Sequence, residues 1–547
     1  MMHLPKIEFL SDAPAGPQRI NLHGATVWLR GHFKGRDNMS VAREAAVQTA
    51  TSVAGWLDRL DGHYCLIVSG EHCSFAAVDP VRSYPLIWAQ TPTGVAVTHY
   101  GPALEDHLGL GIEQMDPDVL LALALSGFTI GNATLYRNVS QLGPGEFLWV
   151  DETGPSQGRY HRWQPWRQDT DADPESLALR LSALNEQLID DLIAGIDDRP
   201  ILVPLSAGLD SRMIASGLKE AGYQNVHCVA YGVPGNREAE VSREIARRLG
   251  YKWSFVPYSN AALGKMFHDP DYAGYKSYSD SLTGMHFPQE YRMLTVLRHR
   301  GVLTEETVVV NGQSGDFIAG NHIPATLFEP TGSEEDRLSL IVGALIQKHF
   351  KHWATLMKPE YLEPIDRLLR QSIADLGVWP VAPQRDHGIY EYVEFHDRQS
   401  KYVLNGQRVY EYMKLDWRLP LWDRGYLDFW AQAPLSAKKG ESLYRTVLER
   451  DNWAGVWKDI PINPQRIRPH WIRPLRLIAK AMHLPLGRDR WHRSEKRYFD
   501  YWMTTTCSYA AWPYRQVAAD RRGHYGPNSW HIADYLTGKG VSWNGAL

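Results

Sequence analysis

Residues 201–212 read ILVPLSAGLDSR. A short apolar run ends in a loop of small residues, Ser206-Ala207-Gly208-Leu209-Asp210-Ser211, and SRMIASGLKEAGY (211–223) follows with helical periodicity. Small side chains let a backbone approach an anion closely. Successive N–H groups running into a helix N-terminus form a phosphate cradle. Ser206 and Ser211 add hydroxyl donors, and Asp210 can hold a Mg²⁺ that bridges phosphate oxygens. No G-x-x-x-x-G-K-[ST] occurs here, so this is not a Walker loop. Taken alone, the string also reads as a small-residue turn capped at a helix start.

A second segment has the same form. VVVNGQSGDFIAGNH (308–322) is an apolar run followed by a glycine-rich loop with one acid, Asp316. Between the two loops, NVHCVAYG (225–232) and KWSFVPYS (252–259) read as strands and REAEVSREIARRLG (237–250) as a helix. Strands alternating with helices imply a parallel sheet covered on both faces. In such a sheet, loops at the carboxyl ends of strands converge on one crevice. Two glycine loops with one Asp each are therefore expected to clamp one Mg²⁺-polyphosphate.

The flanking sequence is organised differently. Residues 1–165 read as β-rich, with runs such as ATVWLRGHF (25–33), HYCLIVS (63–69), CSFAAVD (73–79), GVAVTHY (94–100) and EFLWVDE (146–152). Residues 38–60 and 116–127 read as helices. The polar, proline-containing stretch 164–174 reads as a linker. Helical patterns dominate beyond 335. Apolar content of 44% and charged content of 22% fit a folded globular chain. A net charge of −4 gives no global basic field for nucleic acid. No apolar run is long enough to span a membrane, and the N-terminal stretch lacks the pattern of a secretory signal. The four cysteines (65, 73, 228 and 507) lack metal-ligand spacing and fit a reducing, cytoplasmic compartment. Residues 466–497 carry ten Lys/Arg against two acids, which reads either as a surface for an anionic substrate or lipid headgroups or as a solvated helical face.

PLSAGLDSR resembles the pyrophosphate-loop motif (S-G-G-x-D-S) of ATP pyrophosphatases. With NGQSGDFIAG it resembles the synthetase domain of the asparagine synthetase family. KLDWRLPLWDRGYLDF (414–429) is similar to that family's E-x-R-x-P-F-L-D segment through Asp416, Arg418, Pro420 and Asp423. LDGHYCLIV (60–68), residues 76–104 and 134–150, and RYHRW (159–163) follow the order of its glutaminase domain. The resemblance implies an α+β, N-terminal-nucleophile-like sandwich over 1–165. It implies an α/β, doubly wound parallel-sheet ATP-pyrophosphatase domain with helical additions over 174–547.

It also implies a reaction. ATP places its pyrophosphate on Leu205–Ser211, helped by Gly312, Gly315 and Glu238, with Mg²⁺ on Asp210 and Asp316. A small-molecule or peptide carboxylate attacks the α-phosphorus to give an acyl-adenylate, and ammonia or an amine then displaces AMP. Lys438, Lys439 and Asp416 are the catalytic candidates. Glu238 equally reads as a first-turn acid that complements a helix dipole, and Lys438-Lys439 as an exposed turn. Ammonia from a partner amidotransferase and a homodimer are the partners implied.

The departures from the family shape these expectations. The chain begins Met1-Met2-His3, where a glutamine-hydrolysing relative has a cysteine whose α-amine acts as base. Hydrolysis of glutamine by the usual route is therefore not expected. Ala207 replaces a glycine, Phe317 follows Asp316 where relatives have Glu, and Glu441 occupies the lysine position four residues before Arg445. Tyr410 and Glu411 resemble the Tyr–Glu base of β-lactam-forming relatives, but adjacent helical residues face different ways. Aspartate, a uronic-acid sugar and intramolecular amide closure remain open as substrate classes, as does a nucleotide-binding scaffold without catalysis.

Overall fold

The computed structural model describes residues 6–543, apart from 12, 14, 168–172, 465–466 and 542. Residues 168–172 of the linker expected at 164–174, and Met1–His3, lie outside the described residues. Strands up to Arg159 build two sheets. One has six antiparallel strands, with Ser74–Val78 against Gly62–Gly70 at its centre, and the other has four. Alternate residues of Gly62–Gly70 show why its sequence is apolar throughout. Cys65 and Ile67 face one core with Val95 and Val97 of the four-stranded sheet. Tyr64, Leu66 and Val68 face a second core under two short helices. A sheet buried on both faces loses the in–out alternation of a half-exposed one.

Those two helices correct the single helix expected over 38–60. Helix Asn38–Ala45 stops, and a separate turn, Val53–Leu57, follows. The break is at Thr49–Ser52. There the Thr49 N–H donates to Ser52 Oγ at 2.9 Å and the Ser52 N–H to Thr49 Oγ1 at 3.2 Å. Hydroxyl side chains offer the backbone a local alternative to helical bonding. Elsewhere the punctuation holds, as in helix Pro117–Ser126, capped by Asp116 and ended by left-handed Gly127.

Residues from 201 to 418 build a five-stranded parallel sheet. Its order is Lys252–Pro257, Val226–Gly232, Ile201–Pro204, Val308–Val310, Asp416–Arg418. The chain leaves Ile201–Pro204 towards one edge through helices Asp210–Glu220 and Arg237–Leu249. It then returns past its start to Val308–Val310. Right-handed crossovers in opposite directions place their helices on opposite faces. The order therefore reverses between Ile201–Pro204 and Val308–Val310, and the two glycine loops leave the carboxyl ends of these adjacent strands. Ile201, Leu202, Val203 and Val308 to Val310 are buried. The many tryptophans are core material: Trp163, Trp353, Trp417, Trp422 and Trp430 are fully buried. Among the described residues no helix is long and apolar enough to cross a membrane.

Leu202 registers with both His227 and Val309 at the centre of this sheet. Leu202→Ala is expected to cost about 3 kcal/mol through lost burial and a residual cavity, read as a lower urea midpoint with unchanged far-ultraviolet dichroism.

Candidate functional site

The strand-end loops open on a cleft of about 610 Å³. Leu205, Ser206, Gly208, Leu209, Asp210 and Ser211 line it. The loop is held by its own hydroxyls. Ser206 N–H donates to Ser211 Oγ at 3.0 Å, the two Oγ atoms are 2.9 Å apart, and Gly208 N–H donates to Ser206 Oγ at 3.1 Å. Ala207 is buried and turns its back on the cleft, so its methyl group does not obstruct it. Its carbonyl accepts from Arg212 Nη2 at 3.0 Å and from Asn463 N–H at 3.1 Å. Arg212 also donates to the carbonyls of Val456, Ile460 and Pro461, which ties the loop to the 456–463 segment. Helix Asp210–Glu220 has no side-chain N-cap bond, so the positive end of its dipole faces the cleft.

The second loop crosses directly over the first. Asp316 N–H donates to Asp210 Oδ2 at 3.2 Å, and both carboxyl groups line the cleft. Glycine is required for this approach. A Cβ on Gly312 would lie 2.7 Å from the carbonyl carbon of Asp210, and one on Gly315 would lie 2.5 Å from Asp210 Oδ1. Ser314, between them, is left-handed at φ 74°. Its Oγ donates to Gln399 at 3.2 Å, and Gln313 Nε2 donates to the Val403 carbonyl at 3.1 Å. Both partners lie on a π-helical stretch, Phe395–Val403, a feature frequent at functional sites.

The cleft is strongly acidic. Asp210, Glu238, Glu290, Asp316 and Glu441 line it, with Arg445 as the one Lys or Arg among its described lining residues. Burial, and then the Asp316 charge, hold the Asp210 carboxyl well above the usual carboxylate range. Burial pushes Asp316 the same way, but the hydrogen bond and charge of His322 outweigh it and the net direction is down. His322 Nε2 lies 3.4 Å from Asp316 Oδ2, and its Nδ1 bonds buried Glu394. The buried Tyr444 hydroxyl is a further neighbour of the Asp210 carboxyl. Two adjoining carboxyl groups among clustered acids fit a divalent cation. Among the described residues no three His, Cys, Asp or Glu side chains form a metal cage. Mg²⁺ typically takes one or two carboxylates and completes its shell with substrate phosphates and water, and the Asp210–Asp316 pair suits that.

Other sequence-derived residues are placed elsewhere. Glu238 lines the cleft from the first turn of helix Arg237–Leu249. Lys438 does not line the cleft. It is buried behind the second loop, and its Nζ donates to Glu391 at 2.9 and 3.1 Å. Lys439 is exposed, with its ammonium 4.9 Å from the Phe328 ring centroid. Asp416 is at the wrong end of the sheet. It registers with Val308 at the amino end of that strand, where Arg199 Nη2 donates to it at 2.8 Å. Arg418, Pro420 and Asp423 line a separate cavity of about 350 Å³ facing His32 and His63 of the N-terminal part. The cation that reaches the cleft is Arg445, paired with Glu441 at 2.6 Å.

The structure also settles the Tyr410 pairing. Glu411 turns away to Arg408 and Tyr278, at 3.0 and 2.9 Å. Tyr410 instead donates to Glu290, and Asn311 Nδ2 donates to Tyr410 Oη at 3.0 Å. Burial raises the Glu290 carboxyl to about 7. Glu290, in FPQEYR (287–292), carries no local motif, so only its fold partners reveal it. Cys65 is buried within its strand, and burial pushes its thiol up to about 12, far from a nucleophile's range.

Residues 187–450 match the asparagine synthase family. An alignment of 159 residues is 28% identical to asparagine synthetase B [glutamine-hydrolyzing] of Escherichia coli (strain K12), covering 26% of this chain. The match spans 28% of that relative's length. Among solved structures, NH3-dependent NAD synthetase from Campylobacter jejuni subsp. jejuni NCTC 11168 is 12% identical at a TM-score of 0.20, covering 39% of this chain and 99% of its own. Glutamine phosphoribosylpyrophosphate amidotransferase from B. subtilis is 15% identical at 0.17, covering 49% and 77%.

If the two loops act as one clamp, Gly315→Ala is expected to abolish Mg²⁺-dependent ATP binding by calorimetry while the far-ultraviolet dichroism stays unchanged. Asp316→Asn is expected to weaken the same binding at least tenfold.

Proposed function

From the asparagine synthase domain at residues 187–450, we propose that this chain is an ATP-dependent, AMP-forming ligase that joins a carboxylate to ammonia or an amine. The N-terminal part, 1–165, is read as a glutaminase-like domain and 174–547 as the synthetase unit. The observation that carries the reading is the Asp316 N–H to Asp210 Oδ2 contact across the acid-lined cleft. A polyphosphate would be repelled by five carboxyl groups facing one guanidinium, unless divalent cations came with it. Asp210 and Asp316 would hold Mg²⁺, which supplies charge neutralisation for the leaving pyrophosphate.

The chain's own groups do the remaining work. Backbone N–H groups of 206–211 and the following helix N-terminus bind the phosphates. The substrate carboxylate attacks the α-phosphorus, forming an acyl-adenylate and releasing pyrophosphate, with Arg445 as the side-chain cation on the departing group. An ammonium or alkylammonium must lose a proton before it attacks the acyl carbon. Glu290, oriented by Tyr410 and placed near neutrality by burial, is the base available in the cleft. That pair favours an amine nucleophile, as in intramolecular amide closure, over a substrate with a second anionic group. Aspartate and a uronic-acid sugar remain the other substrate classes.

ATP–pyrophosphate exchange tests this. Exchange stimulated by one carboxylic acid and lost in Asp210→Asn is the expected result. ATP binding with no exchange across a broad panel of acids would leave a scaffold. Once the substrate is found, the amide-forming step should rise with pH through about 7 as Glu290 loses its proton. Glu290→Gln should flatten that limb and lower kcat by 10²-fold or more, while exchange persists.

A further inference from the structure

Basic segment 466–497 has no part in the cleft chemistry, and its structure is unusual. Helix Ile472–His483 packs on the protein through one side only. Ile472 is buried, Arg473 Nε donates to the Ile467 carbonyl at 2.9 Å, the Arg476 guanidinium lies over the ring of Trp491 in helix Arg488–Tyr498, and His483 meets that ring edge-on. The rest of its apolar surface is uncovered. Leu475 is 52% exposed, Leu477 61%, Ile478 59%, Met482 70%, and Leu484, just past its end, 73%. Leu475, Ile478 and Met482 recur at i, i+3 and i+7, so they form one stripe, with exposed Trp471 at its start. None of these residues belongs to a core cluster. Scattered exposed aliphatics are ordinary, but a contiguous stripe marks an interaction surface.

The same two helices carry free cations. Lys480, Arg490 and Arg493 are exposed and have no acidic partner among the described residues. The segment carries ten Lys/Arg and two acids in a chain whose net charge is −4, so the rest of the molecule is negative. We propose that the hairpin of helices 472–483 and 488–498 is an interfacial anchor that seats the protein on an anionic lipid surface, with the Leu475–Ile478–Met482 stripe among the acyl chains and the Lys/Arg side chains at the headgroups. This is the composition of a helix that lies in a membrane interface: an apolar face, a cationic polar face and an aromatic residue at its edge. At about 1.5 Å per residue the 472–483 helix is roughly 18 Å long, enough to lie in the surface but not to cross it. Charge separates this occupant from two others. A second copy docked through a two-fold axis would press the basic segment against itself. A nucleic acid would meet the cations but gain nothing from bare aliphatics, since single strands are held by stacked aromatics.

Cosedimentation of the full chain with phosphatidylcholine vesicles, with and without phosphatidylglycerol, tests the proposal. Binding is expected only to the anionic vesicles and should weaken with added salt. Ile478→Asp should reduce it at least tenfold, and Arg490→Glu by about twenty-five-fold, since the reversal changes two charges at roughly fivefold each. Thermal unfolding and ATP binding should match the unaltered chain in both variants, since both side chains are exposed. Equal binding to neutral vesicles, no vesicle binding, displacement of bound vesicles by RNA, or a dimer that Ile478→Asp dissociates would each overturn it.

Discussion

The structure depends on one close approach. Two loops from adjacent parallel strands come near enough for a backbone N–H on one to bond a carboxylate on the other, Asp316 to Asp210. This needs positions without a Cβ at 312 and 315, a left-handed residue at 314 and a sheet order that reverses between the two strands. Each element is unremarkable alone. Together they place a helix N-terminus, a row of loop amides and a pair of acids around one cleft. The surplus of carboxyl groups then sets what the cleft can take: cations first, and anions only with them.

The surroundings hold that approach in place. Buried Arg212 gives its hydrogen bonds to four carbonyls, including Ala207 under the first loop. The Phe395–Val403 π-helical stretch supplies Gln399 and the Val403 carbonyl under the second. Lys438 lies behind the second loop, with Glu391 as its counter-ion. Leaving either member of such a buried pair alone is costly, so the pair has a positioning value distinct from chemistry. The N-terminal part shares the main core with the parallel sheet, and Arg82 reaches from it to the Thr283 hydroxyl at 3.3 Å.

Local pattern reached far into the fold because its signals are local. Apolar runs followed by turn residues marked the strands at 201, 226, 252 and 308, and helix Arg237–Leu249 starts at an Asn236 cap and stops at left-handed Gly250, in keeping with capping chemistry. The hydroxyl-rich Thr49–Ser52 segment was misleading for the same reason: its helical apolar spacing hid local side-chain bonds that break the helix. Both Asp210 and Asp316 could be found, since each sits in a glycine loop after a strand. Glu290 and His322 could not, since neither lies in a pattern that the chemistry demands.

By itself, then, the sequence determined the strand–loop–helix units and the two metal-ligand candidates, because glycine loops and periodicity act over a few residues. Only the tertiary structure decided which charged groups face the cleft. It sent Asp416 to the far end of its strand, buried Lys438 against Glu391, brought Arg445 in as the cation and turned Tyr410 to Glu290 rather than to its neighbour. The physical reason is that a long side chain's direction is set by register along a strand, by helix face and by the nearest opposite charge, and these are fixed by contacts between residues far apart in the chain.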